Sequence, residues 1–342
     1  NDGRPDLYVT NYGANTLYHN TANHNTADQD TDAGPFADVT AMAGTGDPHW
    51  GSSAAFFDYD NDGDLDLYVA NYLDLSPGNN RLCGGAVASA KSPQGRALRV
   101  PLAHRTYCSP RRYNGAPDVL YRNEGDGTFV DMTRASGVFS PFGKGLGVVA
   151  ADFDADGHMD LFVANDGMRN FLYSNGGDAT FTEKAVGAGN AYNGDGQPEA
   201  GMGVAAADYD GDSDIDLLVT NFSHESNTLY RNGGGNSFTD HSAVAGLHRA
   251  SLLPLGFGTF FFDADNDADV DLFVANGHVS DKAALQDADL SYAQPDQLFA
   301  NDGKGVFVDV SAVSGPAFED SGVSRGAAYA DYDNDGDLDV LV

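Results

Sequence analysis

Asp58–Asp66 reads DYDNDGDLD, and the same frame, D-x-D-x-D-G-x-x-D, returns as DFDADGHMD from Asp152, DYDGDSDID from Asp208, DADNDADVD from Asp263 and DYDNDGDLD from Asp331. A sixth, partial copy, NDGRPD, runs from Asn1 to Asp6. Carboxylates at loop positions 1, 3, 5 and 9 converge on one cation only if the chain curls around it, and the backbone carbonyl of position 7 commonly completes such a shell. An all-oxygen donor set carrying several charges suits Ca²⁺ and not Zn²⁺ or Cu²⁺.

The frame matches the first half of a helix-loop-helix calcium hand and departs from the second. That motif needs a bidentate Glu at position 12 and a helix after it. Here position 12 is Val69, Val163, Val219, Val274 and Val342. The runs that follow, LYVAN, LFVAN, LLVTN, LFVAN and VLV, are β-branched, aromatic and apolar, which is strand chemistry. The loop therefore joins two strands. A single Asp-rich turn would read equally well as solvated surface charge; repetition at fixed internal spacing opposes that reading.

The rest of the unit also repeats. A glycine-rich apolar strand precedes each loop (WGSSAAFF, GLGVVAA, GMGVAAA, GFGTFFF, RGAAYA), a third strand follows the second (NTLYHN, DVLYRN, NFLYSN, NTLYRN, DQLFAN), and a tight turn leads to a fourth (GTFVDMT, ATFTEKA, NSFTDHS, GVFVDVS). Asn-Gly and Asp-Gly pairs suit those turns because Gly accepts positive φ. Four antiparallel strands per unit predict an all-β fold, a β-propeller of four-stranded blades with the acidic loop between first and second strands. The predicted divisions are a partial blade over 1–45, a blade over 46–140 interrupted by an insertion at 74–117, blades over 141–195, 196–250 and 251–320, and a partial blade over 321–342. Gly and Ala in the first strands fit crowding around a narrow axis. Ser213 and Ala268 replace the glycine of position 6, so their loops are expected to be strained or weaker.

The formal net charge is −33, from 51 acidic and 18 basic residues, and about half of the acids lie in the loops. Such a chain is not expected to bind a nucleic acid backbone, which needs a basic face. No run of 18 apolar residues spans a membrane. The insertion holds both cysteines, Cys83 and Cys108, and is basic: Arg81, Lys91, Arg96, Arg99, Arg105, Arg111 and Arg112 against Asp74. The cysteines read as a local disulfide of an oxidising compartment, the alternative being two free buried thiols. The basic loop is expected to dock on the chain's own acidic rim, with an anionic polysaccharide or another partner as the alternatives.

At these residues, and most specifically over YCSPRRYNGAPDVLYRNEGDGTFVDMTRASGV (Tyr107–Val138), the chain resembles the FG-GAP/VCBS repeat propellers, the class that includes the integrin α-subunit head, and within it the cartilage acidic protein and ASPIC/UnbV-type group. The resemblance implies a secreted or surface-exposed, calcium-binding propeller, seven-bladed when complete, used in adhesion or as a scaffold. Carried over by position, the metal ligands are Asp58, Asp60, Asp62, Asp64 (through its carbonyl) and Asp66; Asp152, Asp154, Asp156, His158 and Asp160; Asp208, Asp210, Asp212, Asp214 and Asp216; Asp263, Asp265, Asp267, Asp269 and Asp271; and Asp331, Asp333, Asp335, Asp337 and Asp339. Asp2 and Asp6 would belong to a sixth, partial site. About five Ca²⁺ ions are expected. Because His158 stands at the carbonyl position, its side chain is expected to face solvent. Seven blades are not accounted for, so the sequence reads as a piece truncated at both ends, its terminal blades completed by further sequence or by strand addition from a neighbouring chain, a route to self-assembly.

Catalytic signatures are missing: no H-E-x-x-H, G-x-S-x-G, phosphate loop or C-x-x-C-H occurs. The expected function is a non-catalytic adhesion or scaffold module with a protein or glycan surface partner. The alternatives are a carbohydrate-binding or lyase-like propeller working at its axial mouth, and a structural subunit of an extracellular filament. Trp50 reads either as a lining of that mouth or as a single packed side chain.

Overall fold

The computed structural model describes residues 3–21, 34–81, 83–84, 105–106 and 108–342. The strands form six principal sheets that follow one another along the chain. Sheet one has three strands (Leu7–Val9, Thr16–Asn20, Phe36–Asp38). Sheet two has four (Gly51–Phe57, Asp66–Asn71, Val119–Asn123, Phe129–Asp131). So do sheet three (Gly145–Ala151, Asp160–Asn165, Phe171–Asn175, Phe181–Glu183) and sheet four (Val204–Ala207, Asp216–Val219, Thr228–Asn232, Phe238–Asp240). Sheet five has the same form (Gly256–Phe262, Asp271–Asn276, Gln297–Asn301, Phe307–Asp309), and sheet six contributes two strands (Ala328–Ala330, Asp339–Leu341). All pairings are antiparallel in chain order. The acidic loop joins first to second strand in each of sheets two to six, as the sequence predicts. Among the described residues the sheets do not close into a ring.

The second strands of sheets two to five are buried on both faces, which is why they read as unbroken apolar runs. Period-two alternation sends their neighbours to opposite sides. In sheet three, Leu161 and Val163 join the core shared with sheet two, whereas Phe162 and Ala164 join the core shared with sheet four. In sheet four, Leu217 and Val219 face back toward sheet three and Leu218 faces forward. The hydrophobic core is thus a series of layers, each sandwiched between consecutive sheets. Burying one such Leu, Val or Phe contributes about 1.5–3 kcal/mol.

The first strands lie against one another, and glycine sets their spacing. A Cβ on Gly147 would sit 2.4 Å from the Met202 carbonyl oxygen, and one on Gly203 would sit 1.9 Å from that of Phe257. Between sheets two and three, Ser52 Oγ donates to the Gly145 carbonyl at 2.7 Å. These contacts form only if backbones approach closely, as at an axis. Register shifts between Gly51 and Ser53, Gly145 and Gly147, and Gly256 and Thr259 bend the strands where they start. Among the described residues the α-helices are single turns such as Ala185–Ala188, and none is long and apolar enough to cross a membrane.

The insertion leaves sheet two after Leu73, which bridges Gly115, and Asp74 clamps its exit through Asn114 N (3.1 Å) and Nδ2 (2.9 Å). Cys83 and Cys108 form a disulfide, beside a short antiparallel pair of Cys83–Gly84 with Arg105–Thr106. Two contacts tie the end of the insertion to the sheets. Lys144 Nζ donates to the Pro110 carbonyl at 2.9 Å, and Arg111 Nε lies against Gly167; burial holds nearby Asp166 and Glu225 above the ordinary carboxylate range, and the Arg111 charge offsets this only in part. Lys91, Arg96 and Arg99 lie outside the described residues.

Candidate metal sites in the acidic loops

Each loop is organised by its own backbone. The position-1 carboxylate caps the turn: Asp58 accepts from Asp62 N (3.2 Å) and Gly63 N (3.0 Å), Asp152 from Asp156 N (3.1 Å) and Gly157 N (2.9 Å), and Asp263 from Asp267 N (3.1 Å) and Ala268 N (3.0 Å). The position-5 carboxylate accepts from the position-7 N–H: Asp62 from Asp64, Asp156 from His158, Asp212 from Asp214, Asp267 from Asp269 and Asp335 from Asp337. Such curling requires left-handed backbone at two points. Position 6 has φ of 91° at Gly63 and 90° at Gly157, but also 74° at Ser213 and Ala268, so the two substituted loops carry the strain expected of them. Position 4 is left-handed too, at Asn61, Ala155, Gly211, Asn266 and Asn334, a requirement the sequence reading missed. Asn and Gly, which tolerate this region, were its signal.

Position 9 is the first residue of the second strand. Asp66, Asp160 and Asp216 are fully buried and Asp271 nearly so. Each accepts from the position-2 N–H of its own loop and from the N–H of an asparagine ending the third strand. For Asp216 these donors are Tyr209 N (3.2 Å) and Asn232 N (2.7 Å). Burial, partly offset by those hydrogen bonds, pushes Asp66 and Asp160 up to about 6 and Asp216 to about 7. Burial and then neighbouring carboxylates also raise Asp60 and Asp154.

Three carboxylate oxygens meet within 4.8 Å in every complete loop: from Asp58, Asp60 and Asp62; from Asp152, Asp154 and Asp160; from Asp208, Asp210 and Asp216; from Asp263, Asp265 and Asp271; and from Asp331, Asp333 and Asp339. At position 3, Oδ1 of Asp60, Asp154 and Asp210 is buried without a hydrogen-bond partner. A buried anionic oxygen left unpaired is costly, and a cation cradled by the loop removes that cost. The donor set, all oxygen and multiply charged, fits Ca²⁺. Position-7 side chains lie outside these groups: Asp64, Asp214 and Asp269 lean on turn glycines Gly125, Gly234 and Gly303. That placement fits a carbonyl role. The solvent-facing placement expected for His158 is corrected: its ring is half-buried over Gly177, and Nδ1 meets Asn61 Nδ2 of the preceding loop at 2.7 Å. Asp6 accepts from Asn20 N at 2.8 Å, as a position-9 residue does, and Asp2 lies outside the described residues.

The asparagines ending the third strands went unnoticed as functional residues. Asn175 Nδ2 donates to the Tyr59 carbonyl (2.8 Å), Asn232 to Phe153 (2.8 Å) and Asn301 to Tyr209 (2.9 Å). Each acceptor is position 2 of the loop on the preceding sheet, so consecutive loops are tied together. The signal was present in the recurring L-[YF]-x-N.

Near the axis, Trp50 stands edge-on between Tyr12 (5.3 Å) and Tyr72 (5.1 Å), and it also lines a cavity of about 520 Å³ with Leu146, Met202, Phe257 and Arg325. Trp50 thus packs against two rings and also faces the cavity between the first strands.

Fold and loops define a class of all-β repeat protein: successive four-stranded antiparallel sheets, each with an acidic turn between its first two strands. The chain belongs to the FG-GAP-like repeat family, whose pattern matches residues 1–69, 112–163, 152–219, 208–274 and 263–342. It is related to cartilage acidic protein 1 of Mus musculus, 27% identical over 275 residues that cover 70% of this chain and 41% of that protein. The Homo sapiens protein of that name is likewise 27% identical, over 70% of this chain and 40% of its own length. The chain thus spans about two fifths of these relatives. Among solved structures, a Bacillus licheniformis rhamnogalacturonan lyase is similar with a TM-score of 0.41 at 12% identity, covering 94% of this chain and 50% of that one. A Trypanosoma rangeli sialidase gives 0.38 at 10% identity, covering 95% and 50%. Likeness at that level carries no functional argument.

Proposed function

We propose that this chain is a calcium-binding, non-catalytic β-propeller module of a secreted or cell-surface protein, serving in adhesion or as a scaffold. The observation that carries the reading is the buried, partnerless Oδ1 of Asp60, Asp154 and Asp210, each beside two further carboxylates. In each loop the carboxylates of positions 1, 3, 5 and 9 and the carbonyl of position 7 would hold the ion. Bound Ca²⁺ would pin the turn and neutralise carboxylates that otherwise repel one another. The disulfide supports an oxidising compartment. A protein or glycan surface partner fits the adhesion reading, and the strongly acidic balance disfavours nucleic acid. Because the unfolded chain cannot preform the sites, each filled loop adds roughly 2.7 kcal/mol when free Ca²⁺ is about a hundredfold above its Kd. Thermal melts with excess Ca²⁺ and after chelation, with elemental analysis of bound metal, test this. Near five ions per chain and a large fall in Tm on chelation are expected. No bound calcium and an unchanged melt would refute it.

The axial cavity favours a second reading, a glycan seated against Trp50 and Phe257 beside Arg325. Glycan-array binding that Trp50→Ala abolishes would support it.

A further inference from the structure

The five complete loops are not equivalent, and an arginine makes the difference. In sheet four, Arg231 points into the acidic loop: its Nε donates to Asp210 Oδ2 and its terminal nitrogen to Asp212 Oδ2, the latter at 2.6 Å. These are the position-3 and position-5 carboxylates. Arg231 sits on the third strand, one residue before the Asn232 that ties down Asp216. Sheet two offers an internal comparison, because the same sequence, LYRN, occupies the same place. There Arg122 grips Glu124 Oε1 through Nε (2.9 Å) and a terminal nitrogen (2.7 Å), and its charge reaches Asp60 only through space. The residue that corresponds to Glu124 in sheet four is Gly233, which has no side chain to offer. Sheet five carries Ala300 at the arginine position, and sheet three carries Ser174, to whose Oγ Lys184 Nζ donates at 3.0 Å; that ammonium lies near Asp154 but is bonded to the hydroxyl, whereas Arg231 bonds two loop carboxylates directly.

We propose that Arg231 is a tethered cation that lowers the calcium affinity of the sheet-four loop, making it the weakest of the loops of sheets two to five and the last of them to fill. The inference rests on the calcium reading of these loops. Arg231 acts in two ways. It occupies Oδ2 of Asp212, a lone-pair site a divalent ion would use, and it places a fixed positive charge beside Asp210, whose Oδ1 remains open. Affinity in oxygen-ligand loops is tuned over decades by ligand charge count, and Arg231 cancels one charge. The same contacts hold the loop's carboxylates together when the metal is absent.

Calorimetric Ca²⁺ titration of the whole chain tests this with three variants. Arg231→Gln removes the cation. Gly233→Glu offers the arginine the partner that Glu124 provides in sheet two; a Cβ at Gly233 meets nothing nearer than the Ser237 carbonyl oxygen at 3.6 Å, so the side chain fits. Arg122→Gln is the control. Arg231→Gln and Gly233→Glu should each tighten the weakest class of site by about tenfold, and Arg122→Gln should leave it within about twofold. In chelator, Arg231→Gln should melt below wild type, because the loop loses its internal cation. An Arg231→Gln isotherm that matches wild type, or is weaker, overturns the proposal while calcium binding itself stands. A wild-type chain that binds no calcium overturns both.

Discussion

Asp118→Asn isolates the energetics of a single buried charge. Asp118 is 1% exposed; Oδ1 accepts from Asn71 N at 2.7 Å and Oδ2 from Tyr68 OH at 2.9 Å. Burial outweighs these bonds and pushes the carboxyl from its ordinary 3.8 up to about 7. Sheets one, three and four place a neutral amide at this position, where Asn15, Asn170 and Asn227 accept the matching N–H at 2.7, 3.0 and 3.1 Å, whereas sheet five keeps a carboxylate, Asp296, which accepts from Asn276 N at 2.7 Å. A carboxyl whose folded value lies above its unfolded one contributes stability fully below about 4, and loses it as pH rises through about 7. At pH 8 the penalty on the ionised form is on the order of 4 kcal/mol. Asparagine keeps the Asn71 bond, and the Tyr68 hydroxyl can rotate to accept from its amide. Urea unfolding of wild type and variant at pH 5 and pH 8, at equal Ca²⁺, reads the effect as a difference in which other titrating groups cancel. The variant should match wild type at pH 5 and exceed it by about 2–4 kcal/mol at pH 8. An identical difference at both pH values would refute the assignment of a buried charge.

Gly63→Ala should cost about 1 kcal/mol, since φ is 91° and a Cβ there meets nothing within 4 Å; Ala268→Gly should recover part of such a cost, both read by urea midpoints. Asn232→Ala strips a fully buried side chain of donors to Phe153 and Ile215 and of its acceptor for Gly234 N. It should destabilise by about 2–3 kcal/mol and weaken calcium binding in the sheet-three loop that contains Phe153. Calcium affinity should fall as pH drops from 8 to 6, because Asp66 and Asp160 (about 6) and Asp216 (about 7) must ionise to take a cation. A pH-independent affinity would count against these carboxylates as ligands.

The repeat was legible because its signals are local. An acidic turn and an apolar run of alternating faces declare themselves within a dozen residues, and the strands fall where those runs lie. What stayed hidden depends on partners far along the chain. Arg122 and Arg231 share one local sequence, and only the next two residues and the folded neighbourhood decide which of them enters a loop. His158 reads as facing solvent because it stands at the carbonyl position, and the partner that holds it, Asn61, lies 97 residues earlier. The same distance concealed what the loops do for the fold. The sheet-three loop shows it: Asp160 accepts from Asn175 N of its own sheet, while Asn232 and Asn236 of the next sheet donate to the Phe153 carbonyl and to Asp154. Read as sequence, this is a calcium turn; folded, it is also the seam between consecutive sheets. On the calcium reading, metal binding and sheet-to-sheet packing draw on the same loop residues, so a change at either should be felt at the other.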